Sequence, residues 1–525
     1  MSVPSRMRTP ERRRARAAAQ LSRRGFLGGI GLGVAATVTA GSSVLSAGTA
    51  HAGQSPPAAV PADRFGRMFP NLPGFLRADD DSRAALTAMG AAGGLLDAKD
   101  DLAAGPIELI INPGLSRNNP DNPTHTAGVT FFGQFLDHDM TFDTTSPLGV
   151  PTPPEESPNA RTPAFDLDSL YGGGPLTDPE LYQADRLRLR IESGGLFEDL
   201  PRTGDNQAII GDPRNDENAV ISGLHAAFIL FHNAVVQRLE DQGFGGDVFA
   251  EARQIVTWHY QWIILHEFLP LIIGQQVVND ILAGGRQFYR PEPGPAFMPI
   301  EFQIGYRIGH SMVRPSYRLN LAGDNGDPFF GMIFDPAAEG QADPVDLRGG
   351  ARAPRRFVGW QTFFDFGDGE VRPNKRIDPV LSTPLFQLPL QTIREGNPPT
   401  SLAVRNLLRH LTWEVPSGQR IAVEMGFSKI NLPELGEFSG NMVNRSPLWY
   451  YMLAEARELA DGLTLGPVGG RLVGEVFIGL LELDPSSYLA VDPDWRPTLP
   501  SQVTGDFRVT DLLRLAGVDP ASRGQ

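Results

Sequence analysis

The sequence predicts a mainly α fold: a single large helical domain with long loops and little β. Three observations carry this. Apolar residues recur at helical spacing through several long segments, and alternating apolar–polar runs are few and short. Gly 58 and Pro 46 make about a fifth of the 525 residues, enough for long connections but below a disordered or collagenous composition. Hydrophobic content of 41 % allows a large core. Length alone would allow about three domains. No stretch reads as a linker between separable units, however, and no fixed-period repeat is visible.

In chain order, residues 1–24 carry eight Arg and one Glu, and Ser22-Arg23-Arg24-Gly25-Phe26-Leu27 runs across their end. A weakly apolar Gly/Ala/Val run follows to about Ala40, then Ala50-His51-Ala52. A basic region, an apolar region and a small-x-small site define an export signal, and the paired arginines are similar to a twin-arginine leader. Residues 1–52 are therefore expected to be a removed signal, and residues 53–525 a secreted, extracellular domain with no stable membrane insertion after cleavage. Gly29-x-Gly31-x-Gly33 mimics part of a dinucleotide fingerprint but follows no strand. Without the leader, 38 basic residues face 60 acidic ones, and the formal charge moves from −15 to −22. Nucleic acid and anionic membrane are poor partners for such a surface. With no Cys, there is no disulfide scaffold, iron–sulfur cluster, Cys-rich zinc site or disulfide-linked dimer. Oligomeric state is otherwise open.

Residues 146–161 and 291–299 are Pro-rich connections, and 322–356 read as a long loop. Residues 217–241 place Ile221, Leu224, Phe228, Phe231, Val235 and Leu239 on one helical stripe. Residues 247–283 do the same with Ile255, Trp258, Trp262, Leu265, Leu269 and Ile273, and Pro270 is expected to kink or break that helix. Further helices are expected at 301–313, 400–410, 417–425, 447–461 and 467–482.

Five segments carry chemistry. In Gly133-Gln134-Phe135-Leu136-Asp137-His138-Asp139, a helix puts Gln134 one turn before His138 on a shared face, with Asp137 and Asp139 about 100° to either side. One helix can then aim a His and a Gln into a pocket while its carboxylates address two other partners. Arg161-Thr162-Pro163-Ala164-Phe165-Asp166-Leu167-Asp168 alternates oxygen donors as a hard cation such as calcium requires, although D-x-D alone also fits a solvated turn. The others are Gly211-Asp212-Pro213-Arg214-Asn215-Asp216-Glu217, Tyr306-Arg307-Ile308-Gly309-His310 and Arg405-Asn406-Leu407-Leu408-Arg409-His410. Taken singly, each of these three also reads as a helix-end salt bridge, a packed structural histidine or a solvated basic face.

In this order, the five segments resemble the animal-type haem peroxidase family of the peroxidase–cyclooxygenase superfamily, and the tail from Leu448 is similar to its bacterial secreted branch. The resemblance covers most of residues 53–525. It implies a haem-peroxidase domain using hydrogen peroxide to oxidise halide, pseudohalide or small organic donors through a ferryl intermediate. His138 matches the distal base, Arg214 the distal arginine and Gln134 the distal glutamine that holds water or halide. His310 matches the proximal iron ligand, for which no Cys competes. Asn406 matches the residue accepting the proximal imidazole N–H, and Arg307 and Arg409 match arginines near the haem propionates. Asp137 and Glu217 match carboxylates that esterify haem methyl groups, implying covalently linked haem b. Asn218 stands where strongly oxidising members carry Met, so a sulfonium link is impossible and chloride oxidation is not expected. Asp139, Thr162, Ala164, Asp166 and Asp168 match a calcium site.

His225, His232, His259 and His266, on apolar helices, are read as structural. Two alternatives differ in class. A fatty-acid oxygenase of cyclooxygenase type needs a Tyr three residues before the proximal His. That position is Arg307, and neighbouring Tyr306 is expected to point elsewhere. A non-catalytic, calcium-stabilised secreted protein would bind no haem. A His/Asp metallohydrolase lacks H-E-x-x-H.

Overall fold

Helices form where the apolar stripes predict them. The computed structural model describes residues 60–352, 354–393 and 396–525. Its principal helices are α1 (Asp80–Met89), α2 (Ala127–Met140), α3 (Ala219–Asp241), α4 (Val248–Ile263), α5 (Leu269–Ile273), α6 (Gln275–Gly284), α7 (Ile300–Gly305), α8 (Leu402–Thr412), α9 (Gly418–Glu424), α10 (Leu448–Ala460) and α11 (Pro467–Leu483). The expected export signal lies outside the described residues. Among those residues, the sheets are four two-stranded pairs, in keeping with a mainly α fold.

Two expected helices are divided. The 247–283 segment stays helical through Pro270. A π turn over Ile264–Phe268 lies just ahead, and Pro270 falls in the first turn of α5, where a missing N–H is tolerated. The break comes at Gly274, whose φ of +83° ends α5. The 301–313 segment is α-helical only to Gly305 and continues as a 3₁₀ helix over Tyr306–Met312. At three residues per turn, positions i and i+3 eclipse, which holds Arg307 and His310 on one side.

The core is built on α2, α3 and α4. α3 is buried almost all round and is long and apolar enough to cross a membrane, but 83 % of its most apolar window is inside the fold. Phe135 of α2 stacks on Phe228 of α3 with ring centroids 4.5 Å apart, and Tyr260 of α4 meets both edge-on. Each buried ring contributes about 1.5–3 kcal/mol by desolvation, and the aromatic pair about 0.5–1.5 kcal/mol more. No side chain caps the start of α2. Instead, its first amides, Ala127 and Gly128, donate to the Arg372 and Phe363 carbonyls at 2.8 and 2.9 Å. Gly128 is required there, since a Cβ would meet the Phe364 ring at 2.4 Å. These contacts fix the helix that carries His138.

Candidate functional site

A cavity of about 460 Å³ is lined by Gln134, Asp137 and His138 of α2, by Arg214 and Glu217 from the turn before α3, by Tyr306, Arg307 and His310 of the 3₁₀ segment, and by Arg409 of α8. Its size suits a cofactor or drug-sized ligand. Four chain segments far apart in sequence thus bring most of the expected site residues to one space.

On the α2 side, the His138 ring is fixed from behind. Its Nδ1 donates to Asn215 Oδ1 at 2.8 Å, which leaves the Nε2 lone pair as the free basic site. Burial, then the nearby Arg214 charge, pushes the His138 pKa down to about 3, so the ring is neutral at pH 7. Arg214 stands on a 3₁₀ turn, Pro213–Asp216, capped by Asp212, which accepts the Arg214 amide at 2.9 Å. The Asp212 carboxylate also pairs with Arg214 Nη2 at 2.8 Å and with Arg161 Nε at 2.9 Å. Burial pushes the Asp212 carboxyl up, but the charge and hydrogen bonds of Arg214, with Arg161 behind, outweigh it and hold it at about 2. Arg214 further donates to the His138 carbonyl at 3.2 Å and lies 4.0 Å from the centre of the Phe142 ring.

The two carboxylates proposed to link a cofactor differ. The Asp137 Oδ2 lies 3.6 Å from Arg214 Nη1, and its side chain keeps 29 % exposure, consistent with its place in the cavity lining. Burial raises its carboxyl, with Arg214 and Arg307 opposing. Glu217 accepts from Gln134 Nε2 at 3.1 Å. Burial, opposed mainly by Arg214, raises it to about 8, so it is largely protonated at neutral pH. Gln134 is therefore engaged rather than held open for a halide: Asn218 Nδ2 donates to its Oε1 at 3.3 Å while Asn218 Oδ1 caps α3.

On the α8 side, burial, then the Arg307 charge, pushes the His310 pKa down to about 3. A neutral imidazole is the form that ligates metal. Its Nδ1 meets Asn406 Nδ2 at 2.8 Å. This departs from the expected role. Asn406 Oδ1 already accepts from Arg307 Nη1 at 3.0 Å, and a guanidinium can only donate, so the amide presents its nitrogen to His310. In this arrangement Asn406 donates to the imidazole rather than accepting from it. The rest of the Arg307 guanidinium bonds Gln303, and it makes no carboxylate ion pair among the described residues. Burial, then the neighbouring Arg409 charge, lowers Arg307 to about 10. Arg409 itself pairs with Asp143 at 2.8 Å. His410 is structural: its Nδ1 bonds the Asn406 carbonyl and its Nε2 accepts the Trp449 amide. Tyr306 does not point elsewhere. It lines the cavity and donates its hydroxyl to the Gly133 carbonyl at 3.1 Å.

Asp139 faces the opposite way from Asp137, as the helix spacing requires. Its carboxylate accepts from the Leu167 amide at 3.1 Å, the Ser169 hydroxyl at 3.1 Å and the Tyr260 hydroxyl at 3.2 Å. Oxygens of Asp139, Asp166 and Asp168 lie within 4.8 Å of one another. Burial, with Asp168 as neighbour, raises Asp166 to about 7, and burial with both neighbours raises Asp139 well above the usual carboxylate range. Three carboxylates this close, one buried and two half-buried, need a cation or shared protons. Arg161 supplies part of that charge, 3.3 Å from Asp168. Thr162 donates its amide to Asp168 at 3.0 Å, and the Ala164 amide donates to the Thr162 carbonyl at 2.8 Å, which closes the loop around the cluster.

Sequence reasoning missed Asp212, Asn215 and Arg161 as site residues and assigned His225 only a packing role. Asn215 Nδ2 donates to His225 Nδ1 at 3.0 Å. The run of polar residues at Asp212, Asn215 and Asn218 ahead of an apolar helix was the available signal, because three-residue spacing aligns them on one side of a 3₁₀ turn.

Residues 144–336 match the family model described as animal haem peroxidase. Peroxidase skpo-1 of Caenorhabditis elegans is 31 % identical over 168 residues, which is 31 % of this chain and 25 % of that protein. Eosinophil peroxidase of Mus musculus is 28 % identical over 235 residues, 38 % of this chain and 32 % of that protein. The chain thus spans about a quarter to a third of the length of these curated relatives. Among solved structures, Peroxidase A from Dictyostelium discoideum aligns with a TM-score of 0.57 at 17 % identity, covering 81 % of this chain and 88 % of that one. A fatty acid alpha-dioxygenase from Arabidopsis thaliana aligns with 0.54 at 17 % identity, covering 81 % and 72 %. At these identities the likeness is one of fold.

Proposed function

We propose that this chain, which matches the animal haem peroxidase family model over residues 144–336, is an exported haem peroxidase taking hydrogen peroxide and a small electron donor. The observation that carries this is the pairing of His138, ring-fixed with a free Nε2, and His310, neutral and backed by Asn406, as lining residues of one cavity.

The donor set fits haem. His310 Nε2 would ligate the iron, and Asp137 and Glu217, both in the lining, would form ester links. Arg307 is a half-buried cation with no carboxylate ion pair among the described residues, which is costly unless an anion completes it, and a haem propionate is such an anion. Recruiting Arg307 would also release Asn406 Oδ1, which frees the amide to turn and accept the His310 Nδ1–H. Bound haem supplies the redox-active iron.

The chain's own residues supply the proton handling. His138 Nε2 takes the proton from the bound peroxide oxygen and can return it to the departing oxygen as water. Arg214, oriented by Asp212, stabilises the negative charge that develops on that oxygen. Gln134, held by Asn218 and Glu217, keeps the linking carboxylate in place. Without a Met at position 218 there is no sulfonium link, so bromide, iodide, thiocyanate and small phenols are the expected donors rather than chloride. Asp139, Asp166 and Asp168, with Thr162 and Ala164, would hold calcium behind α2 and so steady His138. Residues 1–52 support twin-arginine export, a route for proteins that fold before they cross.

The test is peroxide-dependent turnover of halides, thiocyanate and phenols by the purified chain, with a Soret band as the sign of bound haem. His138→Ala should keep the band and slow the peroxide step by about 10²–10⁴. Absence of a Soret band from haem-supplied protein would reject the proposal. A second reading, a fatty-acid oxygenase, rests on Tyr306 lining the cavity. Oxygen uptake with a polyunsaturated fatty acid and no added peroxide would favour it.

A further inference from the structure

We propose that Asn215 and His225 act as a positioning relay that holds the His138 proton on Nδ1 and keeps its Nε2 lone pair toward the cavity. The function of that lone pair rests on the peroxidase reading, whereas the relay itself does not.

The argument is one of hydrogen-bond polarity. A side-chain amide has one accepting and one donating end. Both ends of Asn215 meet imidazoles: Oδ1 lies 2.8 Å from His138 Nδ1, and Nδ2 lies 3.0 Å from His225 Nδ1. All three side chains are buried, at 4 % exposure for His138, 0 % for Asn215 and 1 % for His225. Solvent is therefore a poor substitute for a lost partner. If the amide were reversed, Nδ2 would need a lone pair on His138 Nδ1. The His138 proton would then sit on Nε2, and no base would face the cavity.

His225 is the partner that holds this orientation. With Nδ2 of Asn215 facing it at 3.0 Å, its Nδ1 accepts, so the relay requires the His225 proton on Nε2. The neutral form this requires agrees with its burial, which lowers its pKa to about 4. The same orientation still works after His138 gains a proton on Nε2, because Nδ1–H continues to donate to Oδ1. The backbone is held as well. The Asn215 amide donates to the Asp212 carbonyl at 3.0 Å, within the turn that Asp212 caps. His225 lies in α3, with its ring edge-on to Phe135. Neither residue lines the cavity, so both act through His138.

The experiment is nitrogen NMR of the haem-free full chain carrying ¹⁵N-histidine, with the His138 signals assigned through His138→Gln. The wild type should show His138 as the Nδ1–H tautomer. Asn215→Leu should cut the ratio of Nδ1–H to Nε2–H by about fivefold, the factor of one ordinary hydrogen bond. His225→Phe should shift it in the same direction although Asn215 remains, and this separates a relay from a single contact. Asn215→Asp, which keeps an accepting oxygen, should restore Nδ1–H. On haem-loaded protein, the association rate of hydrogen cyanide, which must give its proton to a distal base, should follow the same order. The proposal is overturned if His138 remains fully Nδ1–H in both Asn215→Leu and His225→Phe, or if Asn215→Asp fails to restore it. A chain that binds no haem but shows the tautomer pattern keeps the relay and loses the peroxidase reading.

Discussion

Asp212→Asn probes the anchor of Arg214. The carboxylate it removes is wholly buried between Arg214 at 2.8 Å and Arg161 at 2.9 Å. Asp212 falls from 3.8 to about 2 on folding, so its charged form contributes about 2–3 kcal/mol. Removing one partner of a buried ion pair costs about 3–5 kcal/mol, and here two arginines lose a partner while keeping an amide oxygen. A loss of about 3 kcal/mol at pH 7 is the expectation. The pH dependence carries the sharper test. A depressed carboxyl pKa gives stability that is present above the unfolded value near 4 and is lost as pH falls through about 2. The gap between wild type and Asp212→Asn should therefore be full at pH 7 and narrow between pH 4 and pH 2. Urea unfolding of the haem-free chain across that range measures it, as midpoint shift multiplied by slope. A gap below about 1 kcal/mol at pH 7, or one unchanged down to pH 2, would refute the assignment of Asp212 as a charged anchor.

Glu217→Gln has two readouts. On denaturing gels with haem detection, one ester through Asp137 should remain, so the haem stays attached but through fewer links; wild-type and variant attachment chemistry should differ by mass. In haem-free protein, the raised Glu217 pKa gives stability that is full below about 4.5 and lost as pH rises through about 8. The variant should accordingly gain on wild type between those values in urea unfolding. Arg307→Met should stabilise the haem-free chain, since a half-buried cation with no carboxylate ion pair among the described residues is removed, yet weaken haem retention; haem titration followed at the Soret band checks the opposite signs. Chelating divalent cations should lower the melting temperature, and calcium at about 100 times its dissociation constant should return about 2.7 kcal/mol. Asp166→Asn should blunt that response.

The geometry of the last two turns of α2 was readable in advance. The Gln134/His138 spacing and the placement of Asp137 and Asp139 on opposite flanks follow from 3.6 residues per turn, and the structure repeats them. The helical stripes at 217–241 and 467–482 were readable for the same reason, since an all-apolar or one-sided pattern has to be buried. The π turn ahead of Pro270 was not, because local widening depends on what packs against the segment rather than on its own pattern. Nor was the polarity of the Arg307–Asn406–His310 contact. It depends on which donor reaches an amide oxygen first, and Arg307 and Asn406 are 99 residues apart.

Sequence alone determined which groups are available. Zero Cys removes thiolate as a ligand for the proposed haem iron and leaves imidazole as the candidate, five motif segments supply the titratable groups, and Asn218 offers no sulfur for a link. Tertiary structure decided how those groups are set. Burial neutralises His138, His310 and Glu217, whereas Asp212 stays charged in the same region because two arginines close on it. The physical reason is that protonation state follows desolvation and neighbouring charge, and both exist only after α2, α3, the 3₁₀ segment and α8 have come together around one cavity.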